Sequence, residues 1–317
     1  MHRCATGERI VQVERLDGGI TAEMRKLTIA TPGADTRDMV LRTYVDPFAV
    51  EHAQDWLDRE GTALTLLAGT DVPAPELVAV DPAAKQCEYP SRLMTHLAGQ
   101  AVLDDEGLKA RVPALARQLV AIHALQPTEQ PRRYVALSTA VVPEAADAGV
   151  WAAAINVIRR PAPPFEGRFL HRDFQPGNML FEVLDGLGEI DRISGIGGIG
   201  GPPSTPTAVR ITGVADLAAT SWGPPDLDVS HCSTNLALLH GPTWGQQFAA
   251  AYEQAGGVLA ATDSERLYWR VLDALACSEE VQLVTQAWQK AGRAELTTRV
   301  AQQRLDSYVT ALMDELG

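Results

Sequence analysis

The chain has 317 residues, 46% of them apolar and 21% charged, enough for one large core or two lobes of roughly 100 to 200 residues each. Its net charge of −13 argues against a nucleic-acid partner, which needs a basic face, and is compatible with steering a cationic small molecule. No apolar run reaches the roughly 18 residues of a membrane span and the N-terminus shows no secretory apolar stretch, so a cytoplasmic location without membrane partner is expected. Cys4, Cys87, Cys232 and Cys277 have no metal-site spacing and read as free thiols.

In chain order, residues 1 to 15 carry no strong signal. Gly18-Gly19 marks a hairpin tip, a plain turn or one whose backbone N–H groups cover phosphates. Residues 26–31 and 39–45 read as strands joined by the turn Pro32-Gly33-Ala34-Asp35. A helix is predicted over Pro47 to Ala68, with Trp56, Leu57, Ala63, Leu64 and Leu67 as its apolar stripe. Glu60 falls inside that stripe. A carboxylate there needs a cation, and Arg42 on the preceding strand is the natural partner.

Val72-Pro73-Ala74-Pro75 turns the chain into a strand at 77–80. Beyond residue 99 the pattern is helical. Leu108, Val112, Leu115, Leu119 and Ile122 predict a helix ending near His123, a structural histidine. Trp151, Ile155 and Ile158 predict another, stopped by the prolines at 161–164. Asp226 or Asp228 can cap a helix carrying Val229, Leu236 and Leu239, and three further helices follow near 243–255, 263–290 and 297–316. The expected division is residues 1–98 and 99–317.

The most informative stretch is His171-Arg172-Asp173-Phe174-Gln175-Pro176-Gly177-Asn178, between two apolar runs. It has the H-R-D-x-x-x-x-N form of phosphoryl-transfer loops. Asp173 can accept the proton of an attacking hydroxyl. Asn178, past a Pro-Gly turn, can offer an amide oxygen to a Mg²⁺ on a nucleotide. The chain then runs apolar through Phe181, Val183 and Leu184, and again through Val209, Ile211 and Val214 to Asp216. As arms of one hairpin, these segments set Asn178 beside Asp216, two oxygen ligands for a hard cation bridging phosphates. Residues 185–208, with Ile193-Ser194-Gly195-Ile196-Gly197-Gly198, sit at the hairpin's far tip and read as a flexible insertion. Without a following Lys or helix N-terminus they are not a P-loop.

These residues, with Gly213-Val214-Ala215-Asp216 and the run Ser221 to Asp228, resemble the aminoglycoside phosphotransferase and choline kinase-like group of small-molecule kinases, from about Leu16 to the C-terminus. The resemblance implies an α+β, bilobed, protein-kinase-like fold: a small sheet-plus-helix lobe and a larger helical one. It implies Asp173 as catalytic base, Asn178 and Asp216 as Mg²⁺ ligands, and Asp228 as a brace of the loop. It also implies a hinge over Ser91 to Gly99, where Met94 and His96 meet the base of ATP or GTP. Arg42 stands where such enzymes carry a phosphate-binding Lys, and with Glu60 would position the triphosphate; a planar guanidinium in that place should change the phosphate geometry. Gln175 stands where protein kinases carry a Lys. Asp216 lacks the Phe-Gly that follows it in those enzymes and no Ala-Pro-Glu is present, so a protein substrate is not expected. The expected activity is phosphoryl transfer to a hydroxyl of a small molecule, with an aminoglycoside- or macrolide-like antibiotic as leading acceptor. The alternatives are a metabolic kinase for choline, homoserine or a sugar, and a nucleotide-binding pseudokinase.

Overall fold

The computed structural model describes residues 7–16, 22–33, 35–136, 139–183 and 209–315. Gly18, Gly19 and the 185–208 segment lie outside the described residues. Strands β1 (Arg9–Leu16), β2 (Glu23–Ala30) and β3 (Thr36–Thr43) form an antiparallel meander. Helix α1 (Pro47–Leu67) follows, and then β4 (Leu77–Asp81) and β5 (Ser91–Thr95). The sheet order is β1-β2-β3-β5-β4, so β5 pairs with β3 at the sheet's middle. Local chemistry starts α1: the Asp46 carboxylate accepts from the Phe48 and Ala49 N–H groups, and Pro47 is preset for the first turn. Its buried face runs Ala49, Ala53, Leu57, Glu60, Ala63, Leu64 and Leu67, the three-and-four spacing of an amphipathic helix.

After β5 the chain passes Gly99, where φ is +95°. A side chain there would collide with the Thr212 hydroxyl and bring a Cβ within 2.9 Å of the Phe181 carbonyl. Strand β6 (Gln100–Ala101) follows at once, then α2 (Leu108–His123), α3 (Ala148–Ile158), β7 (Arg168–Leu170), β8 (Met179–Val183), β9 (Val209–Val214) and β10 (Ser221–Gly223). The chain ends in α4 (Asp226–His240), α5 (Pro242–Gln254), α6 (Asp263–Lys290) and α7 (Thr298–Asp314). One apolar core joins α3, α4, α6 and α7 around Trp151, Trp269 and Leu305; another joins α1, α2, α5 and the β8–β9 hairpin around Leu115, Phe174 and Phe248. Each large side chain so buried contributes about 1.5–3 kcal/mol. The second core crosses from the sheet-bearing lobe into the helical one, tying α1 to α2 and the hairpin. Among the described residues no helix is long and apolar enough to cross a membrane.

The periodicity anticipates every helix to within a few residues. Strands β6, β7 and β10, of two or three residues each, are too short to leave a pattern. Strand β1 over Arg9–Leu16 lies where the sequence carries no strong signal, Ser91–Thr95 of the expected hinge is strand β5, and a capping expectation also fails. Helix α4 has no side-chain cap: Asp226 accepts from the Ala260 N–H at 3.2 Å and Asp228 turns to the catalytic loop. Their carboxylates serve long-range partners that offer better-buried hydrogen bonds than the helix's own N-terminus.

Candidate active site

Asp173 lies on the connection between β7 and β8, closed by a single 3₁₀ turn over Pro176–Asn178. The loop is held from below by Asp228, which is wholly buried. Its two carboxylate oxygens accept from the His171 N–H at 2.7 Å and the Arg172 N–H at 2.8 Å. His123 Nε2 lies 3.2 Å from the same carboxylate, and its Nδ1 is 2.7 Å from the Tyr252 hydroxyl. Burial works against the Asp228 charge, but His123 and the nearby cationic side chains hold its carboxyl below the usual range. His171 in turn places Nε2 3.0 Å from the Ala215 carbonyl, tying the loop to the residue before Asp216. Arg172 and Asp216 both adopt left-handed backbone, with φ of 71° and 60°. That conformation is costly for side chains with a Cβ, and here it occurs at the two places where the site's loops turn.

The Asp173 carboxylate is oriented by three groups. Gln175 Nε2 donates to Oδ1 at 2.7 Å, Asn178 Nδ2 donates to Oδ2 at 2.8 Å, and His231 Nε2 lies 3.2 Å from Oδ1. One third of the side chain stays open to solvent (33%). Burial pushes the Asp173 carboxyl up, and the His231 and Gln175 contacts more than reverse this, so it is held below the ordinary range. An ionised carboxylate with an accessible oxygen suits a proton acceptor.

The hairpin has the register that the sequence predicts. Met179 pairs with Val214, and the Ala215 N–H donates to the Asn178 carbonyl at 2.9 Å, which brings Asp216 alongside Asn178. Asn178 spends its amide nitrogen on the carbonyl and carboxylate of Asp173, leaving Oδ1 as the atom with coordinating capacity. Among the described residues no three His, Cys, Asp or Glu side chains cluster closely enough to hold a metal alone. An amide oxygen and a carboxylate fit Mg²⁺ whose shell is completed by phosphates and waters.

Arg42, Glu60 and Asp216 come together beneath the sheet. Arg42 Nη1 is 3.5 Å from Glu60, and the guanidinium forks onto Asp216, Nη1 to Oδ1 at 3.2 Å and Nη2 to Oδ2 at 3.3 Å. The closest partner of Glu60 is Arg92. Arg42 and Arg92 stand directly opposite each other on β3 and β5. Two like charges so placed repel, and both are buried, so Glu60 and Asp216 supply the countercharge. Burial raises the Glu60 carboxyl; Arg92 and then Arg42 bring it below the usual range. Met94 is buried within β5, opposite Val40 and Leu77. His96 follows the strand, its N–H donating to the Asp38 carbonyl at 3.2 Å, on the linker to Gly99.

Sequence reasoning missed Arg92, His231, Asn235 and Asp273. On α4, Asp228, His231 and Asn235 fall at i, i+3 and i+7, one polar face turned to the loop. That spacing is the signal that was available.

The phosphotransferase enzyme family model matches residues 12–196, more than half of the chain. No curated protein matches it. Among solved structures, a thermostable mutant of aminoglycoside phosphotransferase APH(4)-Ia, in a ternary complex with ADP and hygromycin B, is similar over 95% of this chain and 94% of its own, with 16% identity and a TM-score of 0.57. A Ralstonia eutropha protein provisionally assigned as an aminoglycoside phosphotransferase covers 93% of this chain and 92% of its own, at 18% identity and a TM-score of 0.53. An aminoglycoside-3'-phosphotransferase of type VIII covers 82% and 93%, at 17% and 0.50. At such identities the likeness is one of fold, and it is the bilobed kinase-like fold described above. By the match of its sequence over more than half its length, the chain belongs to the phosphotransferase enzyme family.

Proposed function

We propose that the chain transfers the terminal phosphoryl group of a Mg²⁺-bound nucleoside triphosphate, ATP or GTP, to a hydroxyl of an aminoglycoside- or macrolide-like antibiotic. The observation that carries this reading is the Asp173 carboxylate, ionised, partly open and oriented by Gln175, Asn178 and His231, with Asn178 and Asp216 side by side at the hairpin's open end.

In this reading Asp173 orients the acceptor hydroxyl and takes its proton as the acceptor oxygen bonds to the γ-phosphorus. The bond from that phosphorus to the β,γ-bridging oxygen breaks, and the diphosphate leaves. Asn178 and Asp216 would hold Mg²⁺, which supplies charge neutralisation along the phosphates. Arg42, kept in place by Glu60, has a guanidinium that can leave Asp216 for a phosphate oxygen. His96 and the linker after Met94 would meet the nucleotide base, and Gly18 and Gly19 would cover the phosphates. Most of the rate enhancement would come from positioning and electrostatics. The complexes of similar structures support nucleotide use and an antibiotic acceptor: one holds ADP with hygromycin B, another AMP-PNP with hygromycin B.

The test is a panel of aminoglycosides, macrolides, choline, homoserine and sugars incubated with Mg-ATP and Mg-GTP and read by mass spectrometry for one added phosphate. A phosphorylated antibiotic is the expected product. A phosphorylated metabolite alone would move the enzyme to the metabolic kinases. Nucleotide binding by thermal shift with no transfer and no nucleotide turnover would mark a pseudokinase and overturn the reading.

A further inference from the structure

The loop side chain that donates to Asp173 Oδ1, Gln175, is neutral and brings no cation to that oxygen. Helix α4 brings one from outside the motif. Half-buried His231 lies between two carboxylates, Nε2 at 3.2 Å from Asp173 Oδ1 and Nδ1 at 3.2 Å from Asp273 Oδ1. Both ring nitrogens therefore face acceptors, an arrangement that only the doubly protonated ring satisfies. The competing state is a neutral ring whose bare Nε2 accepts from Asn235 Nδ2, 3.3 Å away. That state would set a lone pair against the Asp173 carboxylate. Asn235 also has another acceptor, the His231 carbonyl at 2.9 Å.

We propose that His231, clamped between Asp173 and Asp273, is a positioning residue for phosphoryl transfer: a half-buried imidazolium that fixes the orientation and charge of the catalytic carboxylate. This role rests on the phosphotransfer reading above.

The surroundings agree. Burial alone would lower the affinity of His231 for its second proton; Asp273, then Asp173, outweigh it and raise its pKa to about 10. The other titratable groups on this side are Cys232 of α4, Glu280 and Cys277 of α6 and Tyr308 of α7, and each of them feels Asp273. The Cys277 thiol and the Tyr308 hydroxyl are pushed up by burial and stay neutral. Asp273 Oδ2 is buried without a hydrogen-bond partner, so the carboxylate depends on His231 for its compensation. The positive charge lies against Oδ1 of the base. There it keeps Asp173 ionised and aimed, at the cost of some basicity.

The test uses full-length wild type, His231→Gln and Asp273→Asn. The first variant keeps a donor to Asp173 without the charge; the second keeps an acceptor for Nδ1 and removes one carboxylate. Side-chain ¹H–¹⁵N spectra of histidine-labelled protein should show His231 protonated at both nitrogens through pH 8 in wild type and losing one proton at lower pH in Asp273→Asn. Turnover of the Mg-nucleotide to water, measurable before the acceptor is known, is followed from pH 6 to 9. His231→Gln should lower kcat by roughly ten- to a hundredfold, with the nucleotide KM within about twofold of wild type. Asp273→Asn should match wild type near pH 6 and fall about tenfold behind it by pH 9, a limb that a purely structural role would not create. Variants that melt cooperatively and keep wild-type kcat across the range, or a wild-type His231 with a bare ring nitrogen at pH 7, would overturn the proposal. A wild type that turns over no nucleotide under any condition overturns the phosphotransfer reading itself. The positioning role falls with it, and the spectra then speak only to the ion bridge.

Discussion

Arg42 and Asp216, 174 residues apart, close a two-point fork across the cleft, with nitrogen–oxygen distances of 3.2 and 3.3 Å. The same guanidinium reaches Glu60, so one side chain links β3, α1 and the residue that follows the β8–β9 hairpin. Burial opposes its charge, but Asp216 and Glu60 dominate and keep it protonated at any working pH.

Arg42→Met should therefore cost stability, though less than the about 3–5 kcal/mol typical of orphaning a buried charge. Glu60 keeps Arg92, and Asp216 is open enough for water to solvate it. Urea denaturation should show a loss of roughly 1–3 kcal/mol on that basis. A midpoint equal to wild type would mean that the fork contributes nothing.

Asp173→Asn should leave nucleotide affinity near wild type and reduce turnover by roughly 10² to 10⁴, the usual worth of a general base. The amide keeps the side chain's shape but cannot take a proton. Near-normal turnover in a folded variant would remove Asp173 from that role.

Asp228→Ala should be the most destabilising single change in the loop region. It strips the His171 and Arg172 N–H groups of their acceptor and leaves a buried void. The expected loss is about 2–5 kcal/mol, readable by chemical denaturation. The pH dependence has a definite sign. Because the folded carboxyl is held low, its contribution is complete above the unfolded value near 3.8 and disappears as pH falls through the lower folded value. Asp228→Asn should flatten the part of the acid-stability curve lying below about pH 4; curves that stay parallel would contradict this.

Asp216→Ala should weaken Mg²⁺-dependent nucleotide binding more than Asn178→Ala does, since a carboxylate neutralises charge and an amide only coordinates. A Mg²⁺ titration giving Asp216→Ala the wild-type affinity would exclude it as a ligand.

What was legible in the sequence was local or periodic. Asp173 and Asn178 share one turn, and the Asn178–Asp216 neighbourhood follows from hairpin alternation, which tolerates a tip of any length. The helices announced themselves through apolar stripes. Arg92 stayed hidden because strand pairing, not chain order, sets it opposite Arg42. His231 stayed hidden because α4 is buried on nearly all sides, so polar residues facing the loop interrupt no apolar stripe, and Asp273 because it meets His231 only where α6 packs on α4. Asp228 could be read as a cap or as a brace. Only the position of the loop, 57 residues earlier, decides that it braces.

The short strand β6 limits how the cleft can open. Gln100 and Ala101 pair with Phe181 and Leu180, and the Thr212 hydroxyl donates to the Ala98 carbonyl at 2.7 Å, so the linker is stitched to both arms of the hairpin. Any rocking of the five-stranded sheet must then be absorbed over the two or three residues between Thr95 and Ala98. The hairpin travels with the helical half as one rigid piece, carrying Asn178 and Asp216 together. The Arg42 fork spans the two halves at 3.2 and 3.3 Å, longer than the bond from Arg59 to the Ala218 carbonyl at 2.9 Å. The separation of that one guanidinium from Asp216 would serve as a molecular ruler for how far the enzyme has opened.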